Sequence, residues 1–275
     1  MITDPARPVA RRYGDAGAAL GVGSDVIDLL LARRSTRRFV PGPAGEVDDD
    51  HVRALVAAAQ SAPTSSNLQA WSVVAVRDTE RKERLAALAG EQAFVAQAAV
   101  FLVWVADLSR ARRLAAARDA RVDAVDYLET TLIGFVDAAL AAQNAVVAAQ
   151  SLGLGTTYVG AVRNRPREVA AELDLPDGAV AAFGLAVGRP DPDEDAGVKP
   201  RLPQDAVLHH ERYDAARADA AAEGYDAVLD GYRAQHGLDR QPWSGRVVER
   251  LAGPGSMAGR DVLRERLADR GLPSL

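Results

Sequence analysis

Short apolar runs alternate with segments of helical periodicity along most of this chain. Strands are predicted where four short runs are apolar and contain β-branched or aromatic residues, at Trp71–Val76, Val100–Val105, Thr156–Val162 and Ala181–Val187. Helices are predicted where apolar residues recur every three or four positions, at about Asp25–Arg34, Asp48–Gln60, Glu80–Ala89, Phe94–Ala98, Thr131–Leu152 and Arg167–Leu173. Strands and helices are therefore interleaved, although two helices precede the first strand.

The most apolar stretch, residues 132–154, is long enough to suggest a membrane span. Polar residues interrupt it at Asp137, Gln143, Asn144 and Gln150, and its many alanines are only weakly hydrophobic. We therefore expect a helix that is buried inside the fold or at a subunit interface.

The two ends of the chain differ in composition from its middle. Residues 1–24 mix proline, arginine, aspartate and glycine without the apolar run of a secretory signal, which predicts a flexible leader. No internal repeat or low-complexity linker divides the remainder, so residues 25–275 are predicted to form a single domain. Beyond Pro200 the sequence is polar and helical, which predicts an arm, at about residues 200–275, that wraps another part of the fold or a partner subunit.

Composition excludes several kinds of chemistry. The chain has no cysteine, which removes disulfides, iron–sulfur clusters, thiolate zinc sites and cysteine nucleophiles. Its net charge of −5 argues against nucleic acid or an anionic membrane surface as a partner. The four histidines show no zinc-site spacing, and no nucleophile elbow or complete glycine-rich dinucleotide motif is present. No metal is expected, and a cytoplasmic location fits the lack of cysteine.

Three polar segments have the residue types of a binding site. Arg33-Arg34-Ser35-Thr36-Arg37 can bind a phosphate through guanidinium groups and a hydroxyl, although cations also favour helix C-termini. The loop Pro63–Gln69 offers small hydroxyls and amides to the rim of a flat heterocycle, or is an ordinary polar turn. Lys199-Pro200-Arg201 is a second cationic pair, or an exposed turn that balances the acidic run before it.

Taken in order, four stretches of the sequence resemble the nitroreductase family. They are ARRSTRRF at residues 32–39, APTSSNLQAW at 62–71, SLGLGTTYVGAVRN at 151–164, and FGLAVGRPD with VKPRLPQDAVLHHERY within 183–213. The KPRLP element indicates the larger branch of oxygen-insensitive, NADPH-preferring nitroreductases and flavin reductases. The resemblance extends from about Asp25 to the C-terminus.

This resemblance implies an α+β fold, with a central, mostly antiparallel sheet flanked by helices, in an intertwined homodimer. It implies an FMN-dependent oxidoreductase, in which NAD(P)H passes hydride to flavin N5 and a nitroaromatic, quinone or flavin acceptor then takes it in a ping-pong cycle. The alternatives are an NADPH-dependent FMN reductase that supplies free reduced flavin, and a flavin-binding protein without turnover. No side chain is expected to be a catalytic nucleophile.

The resemblance also assigns FMN contacts residue by residue. The phosphate and ribityl chain are assigned to Arg33, Arg34, Ser35 and Arg37, with Lys199 and Arg201 completing the phosphate and pyrimidine side. The flavin ring is assigned to Gln92, to the strand end Tyr158, Val159, Gly160 and Ala161, and to Thr64, Ser65 and Asn67 contributed by the second subunit.

Two positions depart from the family pattern. Ala161 stands where a second glycine is common, which alters how closely the backbone approaches the flavin. The basic loop that binds the 2′-phosphate of NADPH aligns poorly, with Arg233 and Arg240 as the nearby cations and Asp239 where a cation is expected. The choice between NADPH and NADH as co-substrate therefore stays open.

Overall fold

The computed structural model describes residues 6–275, and their side chains from residue 8 onward. Its helices and strands, in chain order, are α1 (Ala6–Tyr13), α2 (Asp25–Ala32), α3 (Asp49–Gln60), β1 (Trp71–Val76), α4 (Thr79–Leu88), α5 (Ala93–Gln97), β2 (Val100–Asp107), α6 (Ser109–Ala116), α7 (Leu128–Ser151), β3 (Gly155–Val159), α8 (Pro166–Glu172), β4 (Ala179–Gly188), α9 (Ala215–Ala222), α10 (Tyr225–Gln235), α11 (Trp243–Arg250) and α12 (Leu263–Ala268).

The chain divides into two compact units. The sheet unit comprises Ser35–Glu194 and Met257–Leu275, and the helical unit comprises the described residues up to Arg34 together with Asp195–Ser256. The predicted arm at residues 200–275 is thus shared between the two units, and its last helix belongs to the sheet unit. A single domain over residues 25–275 stays a prediction.

The sheet unit is built on an antiparallel sheet in the order β1-β2-β4-β3. Trp71 is paired with Ala106, Val100 with Val187, and the β3–β4 ladder begins with Gly155 opposite Gly188. Every residue of β2 is buried, since this strand has a neighbour on each edge and helices on both faces. The predicted α+β class with an antiparallel sheet is confirmed.

Two apolar layers cover the faces of this sheet. On one face α3 and α7 contribute Leu55, Ala142 and Ala145, which pack with Leu102 and Trp104. On the other face α4, α5 and α8 contribute Leu85, Val95 and Val169, which pack with Phe101 and Val103. Both layers are continuous apolar cores of the kind that a helix-covered sheet requires.

Helix α7 has one buried and one exposed apolar face. It is long and apolar enough to cross a membrane by length and composition alone. Its alanines at 138, 141, 142 and 145 are fully buried against the sheet, as expected for a core helix. The opposite face exposes Leu128, Leu132, Val136 and Leu140, which recur every fourth residue, with between 43% and 55% of each accessible.

Three predicted features differ from the structure. Strand β3 ends at Val159 rather than Val162, because Gly160–Asn164 turn into a 3₁₀ helix. Helix α2 ends at Ala32, and Arg33 is already extended, so the arginine run follows the helix instead of closing it. Part of the predicted flexible leader is helical, since Ala6–Tyr13 form α1 and bury the Val9 side chain; residues 1–5 lie outside the described residues.

Candidate functional site

In the sheet unit, the segment that follows the arginine pair is fixed alongside β3. Ser35 forms a parallel bridge with Thr156, and the Thr36 amide donates to the Thr156 carbonyl at 3.0 Å. The Thr157 hydroxyl donates to the Thr36 carbonyl at 2.5 Å. A Cβ on Gly155 would lie 2.5 Å from Thr36 Oγ1, so glycine is what allows this close approach. The segment thus runs toward the end of β3 that carries the predicted ring contacts.

Arg37 and Arg38 differ in what their side chains contact. Both backbone amides donate to Glu194 Oε1, at 2.7 and 3.2 Å. The Arg38 guanidinium is paired with Asp191 at 2.7 Å. The exposed guanidinium of Arg37 has no hydrogen bond or ion pair within residues 8–275. Within residues 8–275, the Arg37 guanidinium therefore carries a positive charge without an ion-pair partner, whereas that of Arg38 is paired with Asp191.

The end of β3 offers a ring surface followed by exposed backbone. Tyr158 is 37% accessible, and its ring meets the edge of Phe183 at a centroid distance of 5.4 Å. Val159 is buried, and Gly160 begins the 3₁₀ turn. The same turn contains Arg163, whose guanidinium folds back beside Gly160 and donates to the Ala182 carbonyl. Burial lowers the pKa of Arg163, and it supplies a partly desolvated positive charge directly beneath Gly160.

Gln92 belongs to a turn that packs beside the same 3₁₀ segment. Its Nε2 donates to the Gly90 carbonyl at 3.1 Å. A Cβ on Gly90 would lie 3.6 Å from Asn164 Nδ2, so the two turns are in contact. The turn that carries Gln92 therefore lies beside the 3₁₀ segment that follows β3.

The predicted loop at Thr64–Asn67 is held by α7. The buried carboxylate of Asp137 accepts the Ser65 amide at 3.1 Å and the Ala70 amide at 3.2 Å. Thr64 Oγ1 accepts the Gln69 amide at 3.2 Å, which closes the loop on itself. The side chains of Ser65 and Asn67 remain exposed and available to a ligand or to another chain.

In the helical unit, Arg12 brings the two cationic segments together. Its buried guanidinium donates to the Arg33 carbonyl at 2.5 Å and to the Lys199 carbonyl at 3.0 Å. Its own carbonyl accepts the Arg201 amide at 2.8 Å. Burial lowers the pKa of Arg12, and repulsion from Arg201 and Arg33 lowers it further. Such a group of like charges is stabilised by a bound anion, and phosphate matches guanidinium geometry.

Arg34 lines a cavity of about 770 Å³ in the same unit, with Gly231, Tyr232 and His236 among its walls. His236 Nδ1 lies 2.7 Å from Asp195 Oδ1, and its ring packs against that of Tyr232 at a centroid distance of 4.6 Å. The cavity is of a size that binds small molecules.

The two cations predicted to read the NADPH 2′-phosphate have partners inside the protein. Arg233 is 8% accessible and donates to the Gln241 carbonyl. Arg240 is exposed but donates through two nitrogens to Asp230, and this hydrogen bonding raises its pKa. The Asp230 carboxylate therefore largely balances the charge of the Arg240 guanidinium.

Three residues that organise these segments were not predicted as site residues. Asp137 was noted only as an interruption of an apolar helix, Arg12 fell in the predicted leader, and Glu194 in an acidic run. For Asp137 a signal exists, because a lone acid in a buried helix requires hydrogen-bond donors. Each of Arg12 and Glu194 has a partner more than 150 residues away in sequence, Lys199 for Arg12 and Arg37 for Glu194, and no local pattern identifies these contacts.

Most of the chain matches a known protein family. Residues 30–189 match the Nitroreductase family, and residues 199–274 match the C-terminal domain of that family. The chain belongs to the nitroreductase family.

Relatives and solved structures in the nitroreductase family agree with this assignment. An NADPH-flavin oxidoreductase of Vibrio harveyi is 38% identical over 232 residues, covering 84% of this chain and 92% of the relative. An FMN reductase [NAD(P)H] of Bacillus subtilis is 37% identical over 84% of this chain and 94% of its own length. The structure of B. megaterium NfrA2 superposes with a TM-score of 0.83 at 35% identity, covering 91% of this chain and 98% of that one.

Proposed function

We propose that this nitroreductase-family protein is an FMN-dependent oxidoreductase that uses NAD(P)H to reduce a small-molecule acceptor. The observation that carries the proposal is the placement of Ser35–Arg37 along β3, the strand that ends in Tyr158 and Val159. The segment proposed to bind the phosphate and the end of β3 proposed to bind the flavin ring therefore lie in the same unit. The family match and the relatives named for flavin and NADPH support the same function.

The residues present fit FMN. Arg37 offers an unbalanced guanidinium within the described chain, and Ser35 adds a hydroxyl beside it. In the helical unit, the repulsion that Arg12 experiences from Arg33 and Arg201 favours a bound phosphate. We propose that Arg33, Arg34, Ser35, Arg37, Lys199 and Arg201 hold the phosphate and ribityl chain, each unit supplying its part through its own contacts.

The flavin ring has a matching set of proposed contacts. We propose that Tyr158, Val159, Gly160, Ala161 and Gln92 line it from one subunit, and that Thr64, Ser65 and Asn67 line it from the other. Bound FMN would supply the hydride-transfer chemistry between NAD(P)H and the acceptor. Arg163, fixed by the Ala182 carbonyl beneath Gly160, supplies positive charge that stabilises an anionic ligand there.

No side chain is required to form a covalent bond in this scheme. The residues bind the cofactor, keep one face of its ring open and hold positive charge near it. Protons come from solvent, since none of the proposed ring contacts is an acid or a base with an ordinary pKa near neutrality.

A homodimer completes the proposed site. The exposed stripe Leu128, Leu132, Val136 and Leu140 on α7 is an apolar face of the kind that subunit interfaces bury. A second exposed apolar group, Val248 and Leu251, lies at the end of α11 in the helical unit. We propose that α7 forms the dimer core and that part of residues 200–275 embraces the partner.

Free FMN is the second candidate acceptor. Two Bacillus subtilis relatives are named FMN reductases, at 37% identity each, and this favours release of reduced FMN as an alternative to reduction of nitroaromatics or quinones. A flavin-binding protein without turnover is the remaining alternative. We propose a cytoplasmic location, with no nucleic-acid or membrane partner.

Substitution of the neighbouring arginines tests the cofactor assignment. Arg37→Ala removes a charge with no partner in the described chain, so it should weaken FMN binding while leaving the melting temperature almost unchanged. Loss of one charge-assisted phosphate contact corresponds to about a 10- to 100-fold rise in Kd. The measurement is fluorescence titration of the apoprotein with FMN.

Arg38→Ala is the matched control, because it removes the same charge one residue away but breaks the contact with Asp191. It should leave the FMN Kd within about threefold of the wild type, a change below ~1 kcal/mol. Equal FMN affinity in the Arg37 variant and the wild type would show that the arginine run does not bind the phosphate.

A further inference from the structure

Arg12 is a buried arginine whose guanidinium, within the described residues, donates its hydrogen bonds to backbone carbonyls. Its Nε and Nη2 donate to the Leu31 carbonyl at 3.1 and 2.8 Å, Nη2 also donates to Arg33, and Nη1 donates to Lys199 at 3.0 Å. The residue is 8% accessible. A buried charge of this kind is costly unless it is fully hydrogen-bonded, and here three carbonyls satisfy it.

Two of the carbonyls that Arg12 contacts, those of Arg33 and Lys199, lie in the two cationic segments of the helical unit, and the third, that of Leu31, lies in α2. Arg33 begins the first segment immediately after α2, and Lys199 begins the second. Arg201 is attached as well, because its amide donates to the Arg12 carbonyl at 2.8 Å. One residue thus contacts the backbone of three proposed phosphate contacts, of which Arg33 lies more than 160 positions before Lys199 and Arg201 in sequence.

Arg12 also lies outside the part of the chain that matches the family. The two matched ranges begin at residues 30 and 199, whereas α1 spans Ala6–Tyr13. The Arg12 side chain is therefore not among the residues that the family match covers.

We propose that Arg12 is a positioning residue for the FMN phosphate, which fixes Arg33, Lys199 and Arg201 in the arrangement that binds it. This inference rests on the proposed function. A guanidinium suits the task because its planar fork can donate to several carbonyls at once, whereas a lysine ammonium is a point charge on a flexible stem. The positive charge of Arg12 further favours an anion beside the segments it holds.

Comparison of FMN with riboflavin separates positioning of the phosphate site from a general structural role. The two ligands share the ring and ribityl chain and differ only in the phosphate. If Arg12 arranges the phosphate contacts, its loss weakens FMN binding and leaves riboflavin binding unchanged. If Arg12 only stabilises the fold, both ligands lose affinity in parallel or neither does.

The experiment measures both Kd values for full-length apoprotein carrying Arg12→Met or Arg12→Lys. Arg12→Met should raise the FMN Kd at least about tenfold and the riboflavin Kd less than about twofold. Arg12→Lys keeps the charge but contacts fewer carbonyls, so its FMN Kd should lie between those of the wild type and Arg12→Met. If Arg12→Met does not fold, the FMN and riboflavin Kd values of Arg12→Lys test the inference instead.

Arg246→Met is the control, since Arg246 is exposed on α11 and its variant removes the same charge from the same unit. Its Kd values should match the wild type. An unchanged FMN-to-riboflavin ratio in both Arg12 variants would overturn the inference. A wild-type protein that binds neither ligand would instead refute the proposed function, so the two failures are distinguishable.

Discussion

Asp137 provides the sharpest test of how the loop at Thr64–Asn67 is held. The residue is 1% accessible, and its two carboxylate oxygens accept the amides of Ser65 and Ala70. The loop between them has left-handed backbone at Ser66 and Gln69, with φ values of 47° and 52°. Such non-glycine conformations cost about 1–3 kcal/mol each and persist only where surrounding contacts impose them.

The substitution Asp137→Asn keeps the shape of the side chain but turns one acceptor into a donor. One buried amide then loses its partner, which costs about 1–3 kcal/mol, and the other bond loses its charge assistance, which costs about 1 kcal/mol. The free energy of unfolding should therefore fall by about 2–4 kcal/mol. For a chain of this size that corresponds to a decrease in Tm of roughly 4–7 °C.

Urea denaturation measures the loss of stability, and amide hydrogen exchange measures the local effect. Protection at Ser65 and Ala70 should fall more than protection in β2. Glu129→Gln is the matched control on α7, because it removes a charge from an exposed position of the same helix. The reasoning is refuted if Asp137→Asn is as stable as this control and both amides keep their protection.

Two further substitutions test the dimer and the nucleotide contact. Val136→Asp places a charge in the exposed stripe of α7, so sedimentation should show a dimer for the wild type and a monomer for the variant; a dimeric variant would exclude the stripe as the interface. Arg240→Ala should change the ratio of KM for NADPH to KM for NADH by less than about threefold, or ~1 kcal/mol, because Asp230 already balances that charge. A large rise for NADPH alone would show that Arg240 binds the 2′-phosphate.

The local pattern of apolar and polar residues was sufficient to predict most strands and helices of the sheet unit. Strand β1 was predicted with the observed bounds, because WSVVAV is apolar, rich in β-branched residues and flanked by polar segments. The end of β3 was placed three residues too far along the chain. Ala161 and Val162 continue the apolar pattern into the 3₁₀ turn, so hydrophobicity alone does not mark where the strand stops.

The site depended more on contacts that are distant in sequence. The Arg38 guanidinium is paired with Asp191, whereas the Arg37 guanidinium is not. The sequence does not reveal this difference, because only folding brings Asp191 close to Arg38. Arg12 resembles any arginine in a basic, proline-containing segment until its partners at Arg33 and Lys199 are known. Sequence motifs therefore identified the candidate contacts, while the residues that position them became visible through packing.

Anaerobic mixing of the FMN-loaded protein with NADPH tests the central claim most directly. The protein should bind one FMN per chain, NADPH should bleach the visible absorbance of the flavin, and a quinone or free FMN should restore it. Absorbance that stays constant in excess NADPH and excess NADH would contradict the assignment as an oxidoreductase and leave a flavin-binding protein without turnover.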